Sequence, residues 1–226
     1  MMNKLQEIAI RQSIIDACLE MNAAGVNQGT SGNISVRLGK HLLITPSGVP
    51  YRALKPESIT ALVLGEGDEP QWAGPYQPSS EWRFHRDIML SRPEVQAVVH
   101  LHPVFCTALA INRKPIPACH YMVAAFGGNN VRCADYALFG TAELSQNVLQ
   151  ALEERTACLM ANHGMIAIGD SLEKALWRAV ELEALAKQYL YALQLGAPVL
   201  LSDREIAAAL AQFSGYGPQQ AVLTEQ

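Results

Sequence analysis

Apolar residues recur every three or four positions in several stretches of the chain, which is the spacing of an amphipathic helix. The first such stretch covers residues 4–24 and places five apolar residues on one face: Leu5, Ile8, Ile15, Cys18 and Leu19. Gly25 follows it as a typical C-terminal stop. Periodicity and capping signals predict further helices over residues 78–91, 104–111, 141–154 and 171–195 and from residue 202 onward.

Short apolar or alternating runs predict strands between these helices. They cover residues 34–37, 41–44, 61–64, 71–73, 97–99, 157–160 and 165–168, and two strand-like pieces flank a Gly-Gly-Asn-Asn loop within 120–139. The first four strands follow one another closely, which favours antiparallel pairing. The chain is therefore predicted to be a single α/β domain over residues 1–226, with a mainly antiparallel central sheet covered by helices.

Composition narrows the class of protein. Half of the 226 residues are hydrophobic, the formal charge is -4, and five cysteines are scattered without a Cys-X-X-Cys pair. An acidic chain of this kind is not typical of nucleic-acid or anionic-membrane binding. The cysteines are typical of reduced thiols, and no apolar run reaches the ~18 to 20 residues of a membrane span. A cytoplasmic protein is predicted.

Two histidines directly follow a short apolar run that predicts a buried strand. Residues two apart on a strand share a face, so His100 and His102 can point at one ion. Imidazole suits zinc, and catalytic zinc sites leave a position open beside about three protein ligands. A His-X-His pair alone is a weak signal, but His163, at the end of another strand, adds a third imidazole. The other histidines lack this setting: His41 and His85 are interpreted as surface or hydrogen-bonded residues, and His120 as one that can line the site.

Glu81 stands in the first turn of the helix predicted over residues 78–91. A glutamate there is ordinary helix chemistry, because a carboxylate stabilises the positive end of the helix dipole. Beside a cation and a substrate carbon, the same carboxylate can act as a metal ligand or a base. The residue type alone leaves both interpretations open.

Three polar segments beside helix or strand ends are candidates for binding a phosphate. Ser79 and Ser80 stand at the start of the predicted helix, where unpaired amides and the dipole attract anions, although serines there are also typical N-caps. Gly32-Asn33 and Ser47-Gly48 form two more polar loops with glycine. Backbone amides from three loops can bind one phosphate together. The spacing along the chain does not establish that they meet.

Several motifs in combination resemble the class II aldolase/adducin family. They cover residues 27–30, 32–37, 44–48, 78–85, 98–102, 120–122, 136–141, 162–164 and 173–177. The resemblance extends over roughly residues 5–217 and, within the family, is greatest to enzymes that cleave L-fuculose 1-phosphate.

The resemblance implies a homotetramer of cyclic four-fold symmetry, with one zinc ion per subunit near a subunit interface. It implies that His100, His102 and His163 are the metal histidines and that Glu81 is the metal-linked acid and base. Matching positions imply that the substrate phosphate is held by Gly32, Asn33, Ser47, Gly48, Ser79 and Ser80. By the same resemblance, Tyr121 and Phe139 line the aldehyde side, and Tyr216 handles the proton on the C4 oxygen.

The activity that the resemblance implies is the zinc-dependent, reversible cleavage of a phosphorylated sugar, L-fuculose 1-phosphate first among them. The products would be dihydroxyacetone phosphate and a small aldehyde such as lactaldehyde. Phe126 and Asp135 depart from the expected pattern between Tyr121 and Phe139, where they can alter the aldehyde pocket.

Three alternatives remain open. Aldolases for 5-deoxyribulose 1-phosphate or 5-methylthioribulose 1-phosphate share the same machinery. A sugar-phosphate 4-epimerase of the family would carry an acidic residue near Tyr121, so the His120-Tyr121-Met122 triplet favours release of the aldehyde. A non-catalytic scaffold like adducin would not need three histidines, Glu81 and both serines.

Overall fold

The computed structural model of the protein describes residues 4–65 and 67–213. The α-helices in these ranges are α1 (Lys4–Ala23), α2 (Trp82–Ser91), α3 (Val104–Ile111), α4 (Ala142–Ala151), α5 (Leu172–Leu195) and α6 (Asp203–Phe213). Every predicted helix is present, and α3 has the predicted bounds. Two capping predictions are also correct: Thr141 accepts a hydrogen bond from the Leu144 amide, and Ser202 and Glu205 form the reciprocal bonds of a capping box.

The strands form one sheet. They are β1 (Asn33–Leu38), β2 (His41–Ile44), β3 (Thr60–Val63), β4 (Trp72–Ala73), β5 (Ala97–Leu101), β6 (Cys133–Ala134), β7 (Ala157–Met160) and β8 (Gly164–Gly169). Their order is β4-β3-β2-β1-β5-β8-β7-β6, and the pairs are antiparallel except β6 with β7. The α/β fold with a mainly antiparallel central sheet is confirmed.

Helices cover both faces of this sheet. α1, α3 and α5 pack on the face that carries Val99, whereas α2 and α4 pack on the face that carries Val98. The two valines are neighbours in β5, so the alternation of strand side chains sends one to each core. His100 shares the face of Val98, and the Phe84 ring of α2 meets the His100 ring edge-on at 5.3 Å between centroids. His100, the first histidine predicted to bind metal, therefore lies under α2.

The prediction for the buried face of α1 was only partly correct. Ile15 and Cys18 are buried, but Leu5 is 71% exposed and Leu19 is 37% exposed. The buried residues of α1 all lie between Ile14 and Met21. The reason is that only the C-terminal half of the helix packs on the sheet, so apolar residues of the first turns have no surface to cover.

The first strand-like piece within 120–139 is a 3-10 helix instead, over Tyr121–Phe126. His120 caps it by accepting a hydrogen bond from the Met122 amide, and Gly127 ends it at φ +97°. Positive φ is accessible to glycine without strain. Phe126 is wholly buried in the core beneath this helix. The interpretation of Phe126 as a residue that alters the aldehyde pocket was therefore wrong.

Candidate metal centre and active site

Three chain segments meet at the carboxyl end of β5. His100 lies in β5 and His102 follows its last residue. Glu81 is the residue directly before α2, and His163 lies in the turn between β7 and β8. In that turn Asn162 has φ +55°, a left-handed conformation that asparagine tolerates better than most residues. The chain reverses there and brings His163 beside the other two histidines.

The turn is held close to β5 by a glycine. β5 and β8 pair antiparallel with Leu101 opposite Met165. A Cβ atom on Gly164 would clash with the Leu101 carbonyl oxygen and would lie 2.6 Å from the His102 ring. Only glycine at this position lets β8 begin so close to the two histidines of β5.

The four side chains that the sequence predicted as metal ligands lie together. One ligand atom from each of Glu81, His100, His102 and His163 lies within 4.8 Å of all the others. The Nε2 atoms of His100 and His102 are 2.9 Å apart. The Glu81 carboxylate lies 3.2 Å from His100 Nε2 and 3.0 Å from His163 Nε2. Tetrahedral zinc with bonds of about 2.0–2.2 Å separates its ligand atoms by roughly 3.3 Å, so this donor set is of the right size.

The proton positions also favour a cation. His100 Nδ1 lies 2.9 Å from the Met165 carbonyl oxygen, so in the neutral ring Nδ1 carries the proton and donates it there. Nε2 of His100 then presents a lone pair to Glu81 and to His102. These electron-rich atoms are stable at such distances only with a proton or a metal ion between them. A backbone acceptor on the distal nitrogen is also how metal-binding histidines are commonly oriented.

Charge states in the cluster are those of a metal site. In the metal-free cluster, burial raises the pKa of Glu81, but the positive charges of protonated His100 and His163 would outweigh it and hold the pKa well below its usual range; a cation at the same point would act in the same direction. Burial and the neighbouring histidines lower the pKa of His102 to about 4. An ionised carboxylate and a neutral imidazole are the forms that ligate metals.

A cavity of about 350 Å³ opens onto this cluster. Its walls are Ser80, Glu81, His102, Tyr136, Ala137, Phe139, Asn162 and His163. Phe139 was predicted to line the aldehyde side, and its ring is 59% exposed at this cavity. Tyr136, Ala137 and Asn162 were not singled out, although Tyr136 and Asn162 belong to motifs that carried the family resemblance. One side of the cavity is therefore formed by the candidate metal ligands, and the other by aromatic side chains.

Two of the three candidate phosphate loops lie against each other. The Ser80 amide donates to the Ser47 hydroxyl at 2.9 Å, and the Ser79 amide donates to the Thr45 carbonyl at 3.0 Å. Gly48 is exposed beside them at φ +70°. Neither serine is the N-cap of α2; Glu81 holds that position without a side-chain capping bond. Ser80 lines the cavity, whereas Ser79 is buried and its hydroxyl accepts from the Glu81 amide at 3.3 Å.

The third loop, which contains Gly32 and Asn33, contacts the candidate metal ligands directly. Gly32 lies so close to β5 that an added Cβ would be 2.8 Å from the His100 carbonyl oxygen. The Asn33 side chain is buried and donates to Glu81 Oε2 at 2.9 Å. This loop therefore reaches the metal cluster through Asn33, and the role of Asn33 at the phosphate stays a prediction.

One predicted residue is not brought to this cavity, and another cannot be placed. Tyr121 is 54% exposed and lines a separate cavity of about 720 Å³, where its ring stacks on Phe213. Tyr216 lies outside the described residues. Within one chain, the described part of the site therefore includes the metal cluster, the serines and Phe139, but not Tyr121.

His85 is the residue that sequence interpretation most undervalued. It is completely buried, so the surface assignment was wrong and the alternative of a hydrogen-bonded histidine was correct. Its ring lies between Ser35 and Asn33. Burial, with a smaller contribution from His100, lowers its pKa to about 3, so the ring is neutral. Two sequence signals were available: its position four residues after Glu81, one helical turn along α2, and its place at the end of the 78–85 motif that carried the family resemblance.

A family model described as Class II Aldolase and Adducin N-terminal domain matches residues 12–190. The L-fuculose phosphate aldolase of Escherichia coli O6:H1 is 52% identical over 209 residues, which cover 92% of this chain and 95% of the relative. The 5-methylthioribulose-1-phosphate/5-deoxyribulose-1-phosphate aldolase of Rhodospirillum rubrum is 51% identical over 210 residues, 93% of either chain.

A solved structure, that of an L-fuculose 1-phosphate aldolase, has the same fold. It superposes with a TM-score of 0.87 at 34% identity and covers 95% of this chain and 98% of its own. The likeness extends over nearly the full length of both chains, so it includes every element that positions the four candidate ligands.

Proposed function

Because this chain belongs to the class II aldolase and adducin family, we propose that it cleaves ketose 1-phosphates at the cluster of Glu81, His100, His102 and His163. The protein is a class II aldolase, a metal-dependent aldehyde-lyase. One observation supports the assignment of this site above others: four ligand atoms within 4.8 Å of one another adjoin an open cavity. The metal is proposed to be zinc, one per subunit, since three imidazoles and a carboxylate suit it.

A divalent cation at these residues would act as a Lewis acid that stabilises negative charge on the oxygens of the substrate. In the synthetic direction, ionised Glu81 takes the proton from C3 of dihydroxyacetone phosphate. The electron pair left at C3 then forms the bond to the aldehyde carbon, and Tyr216 gives a proton to the aldehyde oxygen. Cleavage is the reverse: C4–OH loses its proton to Tyr216, the C3–C4 bond breaks, and Glu81 returns a proton to C3.

Glu81 has the environment that this role needs. One of its oxygens accepts a hydrogen bond from Asn33. The other, Oε1, is buried without a well-aligned hydrogen bond, although His163 Nε2 is 3.0 Å away. A carboxylate that is ionised and has one oxygen free to accept a proton is suited to act as a base.

The phosphate group of the substrate is proposed to bind beside Ser47, Gly48, Ser79 and Ser80, with Gly32 and Asn33 at the edge of this region. Replacing both serines of the α2 loop (Ser79→Ala with Ser80→Ala) is expected to raise KM for the ketose 1-phosphate at least tenfold. Each charge-assisted hydrogen bond lost contributes about 1.5 to 3 kcal/mol. Steady-state kinetics and competition by inorganic phosphate measure the change.

Ser171→Ala is the matched control, because Ser171 caps α5 by accepting from the Lys174 amide and lies outside the cavity. It is expected to lower stability by about 1 kcal/mol, as loss of an N-cap does, with KM unchanged. If the double variant behaves like this control, Ser79 and Ser80 support the helix start and do not bind the phosphate.

The physiological substrate is proposed to be L-fuculose 1-phosphate, cleaved to dihydroxyacetone phosphate and lactaldehyde. The second candidate pair is 5-deoxyribulose 1-phosphate and 5-methylthioribulose 1-phosphate. It is favoured by the 51% identity to the Rhodospirillum rubrum enzyme and by the exposed rings of Tyr136 and Phe139 at the cavity. Aromatic side chains favour an apolar substituent on the aldehyde.

A panel of ketose 1-phosphates distinguishes these candidates. Released dihydroxyacetone phosphate is coupled to oxidation of NADH, and kcat/KM is compared among the three sugars. The highest value is expected with L-fuculose 1-phosphate. A higher kcat/KM for the methylthio sugar would overturn this order and assign the second function. Epimerisation of a ketose 5-phosphate without release of dihydroxyacetone phosphate would contradict both candidates.

The assembly is proposed to be a homotetramer with active sites near subunit interfaces. Tyr121 supports this, since it is exposed and lies apart from its own chain's metal cluster. In the assembly Tyr121 would line the aldehyde side of a neighbouring site. Residues 1–226 are proposed to form one catalytic domain, because strands from both halves of the chain share one sheet.

The five free cysteines support the proposed cytoplasmic location. Within the described residues, no helix combines the length and the hydropathy of a membrane-spanning segment.

A further inference from the structure

We propose that His85 is a positioning residue for Glu81 and that it acts through the side-chain amide of Asn33. The proposal deepens the function proposed above and rests on it, because it concerns the residue assigned there as the base. His85 itself would touch neither the substrate nor the metal. Its effect would be to fix which oxygen of Glu81 is held and which is free.

The three residues form a continuous chain of hydrogen bonds that ends at Glu81. Ser35 Oγ lies 2.7 Å from His85 Nδ1. His85 Nε2 lies 2.5 Å from Asn33 Oδ1. Asn33 Nδ2 then donates to Glu81 Oε2 at 2.9 Å. His85 and Ser35 are wholly buried and Asn33 is 5% exposed, so water does not compete for these bonds.

The direction of every bond in this chain is determined by its acceptor. An ionised Glu81 only accepts, so Asn33 must turn its NH₂ group toward it. The Asn33 carbonyl oxygen then faces His85 Nε2, which must carry the proton. A neutral ring protonated at Nε2 has a lone pair at Nδ1, which accepts from the Ser35 hydroxyl. Each proton has one position that satisfies all three contacts.

The hydrogen bond from His85 fixes the orientation of the Asn33 amide, and through it the orientation of the Glu81 carboxylate. An asparagine side chain can rotate by half a turn with almost no change of shape. Here that rotation would set two oxygens against each other at Glu81 and two N–H groups against each other at His85. The histidine therefore locks the amide, and the amide holds Oε2 of Glu81. Oε1 is left facing His163, as the free oxygen of a base requires.

Packing keeps the His85 ring in place. The ring stacks on Phe84 with centroids 4.8 Å apart, and Phe84 in turn meets His100 edge-on. If His85 only fills the core, its replacement would lower stability, and the effect would be the same whichever residue occupies position 81. If His85 positions Glu81, its replacement would slow proton transfer, and the effect would be seen only in a protein that has Glu81.

Two substitutions of similar size separate these roles. His85→Leu removes the donor to Asn33, whereas His85→Gln keeps an N–H group that can reach it. The zinc-loaded enzyme is incubated with dihydroxyacetone phosphate in deuterium oxide, and exchange at C3 is followed by NMR. His85→Leu is expected to slow exchange about 10- to 100-fold, the usual effect of losing a partner that orients a metal-site residue. KM and zinc content of His85→Leu should stay near the wild-type values. His85→Gln should restore at least half of the lost exchange rate, measured on a logarithmic scale.

The decisive measurement repeats His85→Leu in a Glu81→Gln background, where no further loss of residual exchange is expected. An equal loss in both backgrounds, or normal exchange in the His85→Leu variant, would overturn the positioning role. If Glu81→Gln alone exchanges normally, the assignment of Glu81 as the base fails, which is a result distinct from failure of the positioning role. Ser35→Ala removes only the hydroxyl that donates to His85 Nδ1 and helps to hold the ring in place, so it serves if His85→Leu does not fold. It is expected to slow exchange severalfold, and an unchanged rate would refute the proposal.

Discussion

Removal of the metal ion is expected to abolish the cleavage of ketose 1-phosphates, with a loss of at least about 10³-fold. The stabilisation of developing negative charge by a cation is worth several kcal/mol, and each 1.36 kcal/mol is a factor of ten in rate. The described residues that line the cavity include no lysine or arginine that would replace the cation. Treatment with a chelator, followed by assay and metal analysis on the same sample, measures the effect, and added zinc should restore the rate.

Histidine variants provide the matched control for metal dependence. His102→Ala removes a predicted ligand and should lower zinc content together with activity. His41→Ala removes an exposed histidine at the start of β2 and should change neither. Full activity in metal-free protein, or an imine trapped by borohydride, would show that the metal mechanism is wrong.

Glu81→Gln is expected to leave the protein folded and to slow C3 hydrogen exchange in dihydroxyacetone phosphate by about 10² to 10⁴-fold. The amide keeps the shape of the side chain and one oxygen that can ligate a metal, but it cannot take the proton. NMR of the exchange reaction and zinc analysis are made on one preparation. Full zinc with little exchange assigns Glu81 as the base, whereas loss of zinc assigns it mainly as a ligand.

Glu143→Gln is the control for this variant, because Glu143, like Glu81, lies at the start of a helix, but on the exposed surface of α4. It tests the ordinary helix-dipole interpretation and is expected to alter neither exchange nor zinc content. Normal exchange and normal zinc in the Glu81→Gln variant would remove Glu81 from both of its proposed roles.

Local sequence patterns predicted the elements that carry the site. The apolar run before His100 predicted β5, and its period of two placed His100 and His102 beside one point. The capping signals at Thr141 and Ser202 were equally local and equally correct. Such predictions succeed because they depend on the few residues within one turn or one strand.

Predictions failed where burial depended on distant segments. Phe126 was assigned to the aldehyde pocket because it lies between Tyr121 and Phe139 along the chain, yet its ring is in the core. His85 was open to interpretation as a surface residue, yet it lies on the buried face of α2, against the sheet. Neither error was visible in the pattern of neighbouring residues, because the surfaces that cover these side chains come from other parts of the chain.

The sequence by itself determined the chemistry available to this protein: three imidazoles, a carboxylate and polar loops of serine and glycine, each at the end of a regular element. Tertiary structure decided which of these groups meet. β5 pairs with β1 and β8, and this pairing brings together Asn33, His100 and the turn that holds His163. The packing of α2 on the same sheet adds Glu81. These contacts join residues up to 82 positions apart (Glu81 to His163). They form only when the sheet and its covering helices assemble, which is driven by burial of the two apolar faces of the sheet.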